Sequence, residues 1–572
     1  MERQQPDRGL VSAAVRADCR LVSAGLSDHS RLRILSLLLP YSLVNYFVKP
    51  ILAGLLAGGV PTVAPAQTPA RLPSTATAGA NRAARIAATF PLLDKIYADF
   101  AAQRRVPGLA YGLVVDGQLV HTSALGYTDL AAKTVVTPQS IFRMASITKS
   151  FVALAVLRLR DEGRLRLDDP AENYLPELKK APHSATDARP FTIRQLLSHS
   201  AGLPEDNPWG DRQMGRSDAE LSALASRGLS LANAPGVAFE YSNLGYALLG
   251  RLVTQVAGQP VQAYISEKFL RPLGMNATTW DYQRVPAARL AHGYGRPTQG
   301  AASPNPNTLK EEPLLSRGES FAALGGLLTS VEDFARYLAF QADAWARPPT
   351  PADPDAGPVR RSSVREMQQP WAFNVLNTGF RYLSRRACPV VQSYGYGLRI
   401  TQDCGGRRYA GHGGGLPGFG AHWLLLPEYG ISVVAFVNQT YAVPTAQNFA
   451  ALDTLVTLAG LRPRAVVPAP ILARRKAELA ALLPDFNLPA NNPLFAENFF
   501  LDKDLPDRRQ AAQALLAQAG KIISISELEP ENQLRGRFRL RGERAEVEVF
   551  FTLSPENPAR VQQLDLKLLP PR

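Results

Sequence analysis

Ser146 and Lys149 stand three residues apart in FRMASITKSFVALAVLRL, where a turn gives way to a helix with an apolar stripe. Positions i and i+3 share a helix face, so the lysine amine can reach the serine oxygen. A serine hydroxyl is a weak nucleophile until a neighbouring base takes its proton. A lysine serves as that base only if burial or nearby cations pull its pKa down from about 10.4. The helix dipole favours negative charge developing at this end. Taken alone, Ser-x-x-Lys also arises by chance, as an N-cap serine with a surface lysine.

Tyr241-Ser242-Asn243 follows APGVAFE in a loop that leads into the helix LGYALLGRLV. A tyrosine whose pKa is depressed beside a lysine relays a proton between nucleophile and leaving group. An asparagine amide can hold both the lysine and a substrate carbonyl. His412-Gly413-Gly414-Gly415 lies in YAGHGGGLPGFGAHWLLL, where a strand approaches a ligand through its backbone. Glycine permits that approach, and a free amide there completes an oxyanion hole with the Ser146 amide. In isolation the run is also a Gly-rich turn; it lacks the Lys-Ser/Thr of a P-loop and the spacing of GxGxxG. His199 and His422 read as structural, each beside a turn or strand with no paired carboxylate in view. An α/β-hydrolase using His-Gly-Gly-Gly as its oxyanion loop fails for want of a Gly-x-Ser-x-Gly elbow. The dispersed histidines show no metal spacing, so neither a metal nor any other cofactor is expected.

These residues need a sheet and helices to bring them together. Residues 81–103 carry Ile86, Phe90, Leu93, Ile96 and Phe100 at helical spacing and predict one amphipathic helix. Leu113–Val115, Asp116-Gly117 and Gln118–Val120 read as strand, tight turn and strand. Residues 140–345 are mainly helical, whereas 394–440 return to strands in YGYGLRI, RRYAG, FGAHWLLL and ISVVAFVN, and a helix follows at Phe449–Leu458. Strands on both sides of a helical insert predict one α+β unit over 81–460, its sheet closed by distant segments. Prolines 463, 468, 470 and 484 mark 461–489 as a linker, and 490–572 read as a small separate α+β domain: helix RRQAAQALLAQAG, then alternating strands.

The ordered set Ser146-x-x-Lys149, Tyr241-Ser242-Asn243 and His412-Gly413-Gly414 resembles the serine β-lactamase and penicillin-binding-protein superfamily, in its class C-like branch of esterases and D-amino-acid peptidases. Supporting phrases are FTIRQLLSHSAGLP, LDDPAENYLPE, GGLLTSVEDFARYL and YGYGL, which extend the resemblance over roughly residues 88–460. It implies an antiparallel sheet flanked by helices with an all-helical insert, and the tail resembles the small cystatin-like or nuclear-transport-factor-like domains found behind such hydrolases. It further implies Ser146 as the acylated nucleophile and Lys149 and Tyr241 sharing base and acid duties. Asn243 would orient Lys149 and substrate, the amides of Ser146 and Gly415 would form the oxyanion hole, and His412 would border the substrate. Where β-lactamases place Lys-Thr-Gly this chain has His-Gly-Gly, and a neutral histidine is a poor partner for a carboxylate. The expected substrates are therefore small esters, amides or D-amino-acid peptides, cell-wall peptide included, with weak β-lactam hydrolysis. A catalytically silent cell-envelope scaffold on the same fold is the alternative, against which the joint presence of Ser146, Lys149, Tyr241 and Asn243 speaks.

Composition fits that reading. At 572 residues, 46% hydrophobic and 20% charged, the chain belongs with globular proteins rather than multi-pass membrane, disordered or fibrous ones. The net charge of +14 comes from arginines scattered among acids, without a basic stripe or aromatic platform, so no nucleic-acid partner is expected. Near the amino terminus, Lys49, the apolar run Ile51–Val60 and Ala64-Pro65-Ala66 have the order of an export signal cleaved before Gln67. Residues 1–66 thus read as leader and signal and 67–80 as linker, for a periplasmic or secreted protein that touches a membrane only through an uncleaved signal. Translation is expected to start near Val48; the amino-terminal sequence of the exported protein tests this. Cleavage leaves Cys388 and Cys404. The segment SYGYGLRI between them reads as an extended strand that holds them apart, although an oxidising compartment would favour a bridge.

Overall fold

The computed structural model describes residues 75–180, 189–296, 309–314, 318–345, 357–464, 466–483, 486–489 and 492–570. Residues 1–66, expected to be leader and signal, and most of the linker expected over 67–80 lie outside them.

The amino-terminal helical segment is two helices, Thr75–Ala87 and Phe90–Arg104 (α1), rather than the single one expected over 81–103. Pro91 explains the break: it has no N–H to give, and its ring collides with the carbonyl four residues back. The Thr89 hydroxyl caps the first helix on Ile86 O at 2.6 Å. Next comes the hairpin Gly108–Val115 (β1) and Gln118–Asp129 (β2), with Asp116 at φ 49° and Gly117 at φ 81°. Two positive φ values in a two-residue loop follow the strand twist, so an Asp-Gly pair suits this turn.

Nine antiparallel strands form the main sheet. Thr134–Val135 (β3), β2 and β1 pair onward to Ile431–Val437 (β9), Phe419–Leu426 (β8), Arg408–Leu416 (β7), Arg399–Asp403 (β6), Val390–Tyr394 (β5) and Ala372–Asn377 (β4), in that spatial order. The first and last segments of the sheet thus meet at the β1–β9 ladder, where Leu109 faces Val437 and Val115 faces Ile431. Strands β1, β8 and β9 are buried along their whole length, which is why they read as continuous apolar runs. Alternation divides their side chains between two layers. Ala110, Val114, Trp423, Leu425 and Phe436 pack on the helical insert, while Leu109, Tyr111, Leu424, Val433 and Val437 pack with Leu93 and Tyr97 of α1 and with Leu452 and Leu455 of Thr445–Leu458.

Helix Thr148–Asp161 (α2) runs through the centre of the insert, with every residue from Thr148 to Leu157 buried. Asn243–Ala257 (α3) packs on it, and Val331–Asp343 (α4) lies on the sheet at β1 and β9. Helix Thr445–Leu458 (α5) covers the other face.

Cys388 and Cys404 form a disulfide, contrary to the expectation that an extended strand separates them. SYGYGLRI is two strands, β5 and β6, joined at Gly395–Leu398, where Gly395 N–H donates to Leu398 O at 2.8 Å. Gly397, at φ 69°, lies so close to Lys149 O that a Cβ would stand 2.7 Å from it. Folding back brings the open ends of the hairpin together, and the cysteines with them.

The tail has a core of its own. Helix Leu505–Ala519 and the strands Arg535–Gly542, Glu546–Leu553 and Val561–Leu568 bury Leu516, Phe538, Val549 and Phe551 together. Within the proline-punctuated 461–489, Pro470–Leu482 is a helix (α6) whose Leu472 and Leu479 join that core. No helix among the described residues is long and apolar enough to cross a membrane.

Candidate active site

Ser146 sits in the 3-10 turn Ala145–Ile147 that feeds α2, and Ala145 adopts φ 49° to make the turn. Lys149, one turn on, is completely buried. Its Nζ lies 2.7 Å from Asn243 Oδ1, 2.7 Å from Leu324 O and 3.1 Å from Ser146 Oγ. Burial pulls the lysine pKa down to about 7, with Arg399 adding to the fall and Asp211 and Asp206 opposing it. A neutral amine has two hydrogens and one lone pair. The two close oxygens take the hydrogens, so the lone pair is left facing the Ser146 hydroxyl.

Asn243 is the first residue of α3, whose N-cap is Ser242. Asp206 accepts from the amides of Asn243 at 2.6 Å and Leu244 at 2.8 Å, placing negative charge where the helix dipole favours it. The Asn243 amide nitrogen donates to Asn207 Oδ1 at 3.0 Å, and Asn207, not Asn243, reaches the cavity.

Tyr241 lies over Lys149, with Nζ 5.1 Å from the ring centre, and its hydroxyl hydrogen-bonds with Ser146. Its pKa goes up, not down as the sequence suggested. Burial outweighs both the Ser146 hydrogen bond and the Arg399 charge that pull it down. The lysine is accordingly the group ready to accept a proton, and the phenol the group that keeps one. His199 supports the tyrosine: its ring centre is 4.3 Å from that of Tyr241, and Nδ1 accepts the Ser242 amide at 3.1 Å.

Strand β7 brings His412 through Gly415 against the turn that carries Ser146. A Cβ on Gly414 would stand 2.3 Å from Met144 O, so only glycine lets the strand lie this close to the Ser146 turn. His412 is buried, donates from Nδ1 to Gly413 O and accepts at Nε2 from Tyr394 Oη at 2.9 Å. Burial and the Arg399 and Lys149 charges push its pKa well below the ordinary histidine value, so it is neutral. His422, also buried, takes a hydrogen bond from Asn448 at 3.0 Å on the far side of the strand pair.

A cavity of about 640 Å³ opens on this group, lined by Ser146, Tyr241, His412, Gly413, Gly414 and Gly415, with Asp211, Arg399 and Tyr441 among its other walls. A larger cavity of about 1000 Å³, lined by Arg271, Trp280 and Asp281, contains none of the residues singled out from the sequence. Among the described residues no group of three or more His, Cys, Asp or Glu is placed to hold a metal.

Arg399 was not visible as a site residue in the sequence. Its guanidinium lies 5.4 Å from the Tyr241 ring centre, brought there by the β5–β6 turn. YGYGL marks that turn, and the cation one residue beyond it was the available signal. It places a fixed positive charge in the cavity although the strand has histidine in place of lysine.

The family profile described as Beta-lactamase matches residues 93–456. Protein flp of Staphylococcus aureus (strain N315) is 28% identical over 352 residues, 61% of this chain and 63% of its own, so the chain spans under two thirds of that relative. Esterase EstB of Burkholderia gladioli is 35% identical over 214 residues, 35% of this chain and 53% of the esterase. The octameric penicillin-binding protein homologue of Pyrococcus abyssi superposes with a TM-score of 0.51 at 23% identity, over 84% of this chain and 98% of its own. A penicillin binding protein of Bacillus halodurans gives 0.50 at 22%, over 64% and 98%. Both superpositions establish the fold.

Proposed function

Because the chain belongs to the beta-lactamase family, we propose that it is an exported serine hydrolase that forms an acyl-enzyme at Ser146 and hydrolyses small esters, amides or D-amino-acid peptides. The observation that carries this is the Lys149 amine 3.1 Å from Ser146 Oγ, buried and near neutral, its other two contacts both acceptors. Lys149 takes the Ser146 proton as Oγ attacks the carbonyl carbon, and the oxyanion turns toward the amides of Ser146 and Gly415. Tyr241, kept protonated, donates toward the leaving group and is refilled from Lys149; water then attacks the ester, and the acyl group leaves as an acid.

Ester substrates draw support from the relative named Esterase EstB. Arg399 supplies a cation for carboxylate-bearing substrates that the neutral His412 does not, so D-amino-acid peptides stay in the set, and the ground for expecting weak β-lactam turnover, a missing cation, is removed. The Cys388–Cys404 bridge favours an oxidising compartment, in keeping with export.

Intact mass after incubation with a fluorophosphonate probe tests the nucleophile. One adduct is expected on the protein and none on Ser146→Ala. A folded protein that takes no adduct, or a variant that still takes it, overturns the assignment.

A further inference from the structure

One wall of the reaction cavity carries a charge that acylation does not use. Asp211 follows the helical turn Asn207–Gly210 and is only 4% exposed, yet it lines the cavity that holds Ser146. Among the described residues its one side-chain hydrogen bond comes from the Tyr441 phenol, 2.9 Å from Oδ2. Tyr441 reaches it at a cost in backbone conformation: it sits at φ 52°, where a bulky residue is strained. Its amide is held by Phe419 O at 3.2 Å, and its ring lies where a Cβ on Gly415 would stand 2.6 Å from Cδ1. The chain after β9 is therefore bent to fasten a phenol to a carboxylate directly over the strand that would polarise the substrate carbonyl.

A carboxylate withdrawn from water and met by one neutral donor is poorly compensated. Burial and the neighbouring Asp206 and Glu205 raise its pKa, against the Tyr441 hydrogen bond and the Lys149 charge. That last charge disappears whenever Lys149 is the free base that acylation requires. Arg399 and Arg212 line the same cavity, but no ion pair joins either to Asp211 among the described residues. What would complete the site is a cation that arrives with the substrate.

We propose that Asp211, positioned by Tyr441, binds a protonated primary amine on the substrate, so that the enzyme prefers amino-acyl esters and amides to their N-capped counterparts. This rests on the hydrolase reading above and narrows its substrate class.

The test compares kcat/KM for D-alanine methyl ester and N-acetyl-D-alanine methyl ester, by titration of released acid, with fluorophosphonate labelling run on the same preparations. The free amine is expected to be favoured by about tenfold or more, the scale of one charged hydrogen bond. Asp211→Asn should bring the ratio to about one, Asp211→Glu should keep a preference, and Tyr441→Phe should lower it in part. A purely structural role, or an effect only on Lys149, would slow both esters alike and leave the ratio where it was. A wild-type ratio at or below one, a ratio unmoved in Asp211→Asn, or turnover of neither ester by protein that labels at Ser146 overturns the amine site alone. Protein that does not label overturns the hydrolase reading and this one with it.

Discussion

Dehydration makes Lys149 a base, and the two oxygens that take its hydrogens aim its lone pair at Ser146. Since burial lowers its pKa to about 7, the free amine dominates above that pH and the ammonium below it. The pH profile of kcat/KM, which reports ionisations of the free enzyme, should rise tenfold per unit from acid and level off through an inflection near 7. Tyr241, raised by burial, adds no ionisation in this range. Lys149→Met should lower the labelling rate by about 10²–10⁴, the scale of a lost general base. The Ser146–Lys149 pair was legible in the sequence because both partners lie within one helical turn. Arg399 was not, because the β5–β6 fold-back must pack it beside a loop residue, Tyr241, more than a hundred positions earlier in the chain. Arg399→Gln should cost carboxylate-bearing substrates about tenfold in KM relative to neutral esters, the scale of one charged hydrogen bond; equal losses on both, measured side by side, would leave Arg399 as support for the tyrosine.

At the scale of elements, the site exists because β7 lies against the turn before α2. Gly414→Ala forces a methyl into the Met144 carbonyl, and overpacking of this kind costs about 1–3 kcal/mol. The strand is expected to move off the nucleophile turn, so labelling should slow by more than the fall in melting temperature explains; thermal melts and labelling rates on one preparation measure both. The β1–β2 turn, the helix α2 and the glycine run could be read from local sequence, since each follows from dihedral preference or periodicity within a few residues. The β5–β6 hairpin could not. Tyr, Gly and Leu in YGYGLRI alternate well enough for one strand, and nothing in that alternation shows that Gly397 turns to φ 69° beneath a Gly395–Leu398 hydrogen bond. That misreading also hid the disulfide. Cys388→Ser should lower stability by about 3 kcal/mol, from the entropy of a loop closed by residues 16 apart, as read from denaturant midpoints.

Across the whole molecule, charge and core are both divided. The arginines of the tail meet carboxylates on their own sheet, Arg535 and Arg537 at Glu531 and Arg541 at Glu546, so the excess of cations makes no continuous stripe there. Helix α6 falls in the segment whose prolines predict a linker, yet Pro470 stands at its first turn, where proline needs no N–H partner. Leu472 and Leu479 turn inward to Phe538 and Val549, and Arg475 donates to Ala559 O at 2.9 Å, tying α6 to the tail. Arg464, just before it, belongs to the other side, where its amide donates to Glu428 O and its guanidinium meets Asp116. Between Arg464 and Pro470 the chain passes from one core to the next. Among the described residues, none that lines the Ser146 cavity comes from beyond Thr445. A chain ending at Val466 should therefore keep its labelling rate within about twofold and the same inflection near pH 7, because separated sites act nearly independently. Labelling that vanishes in a truncated protein with an intact thermal transition would mean that the tail shapes the cavity, and the two cores would then have to be treated as one catalytic unit.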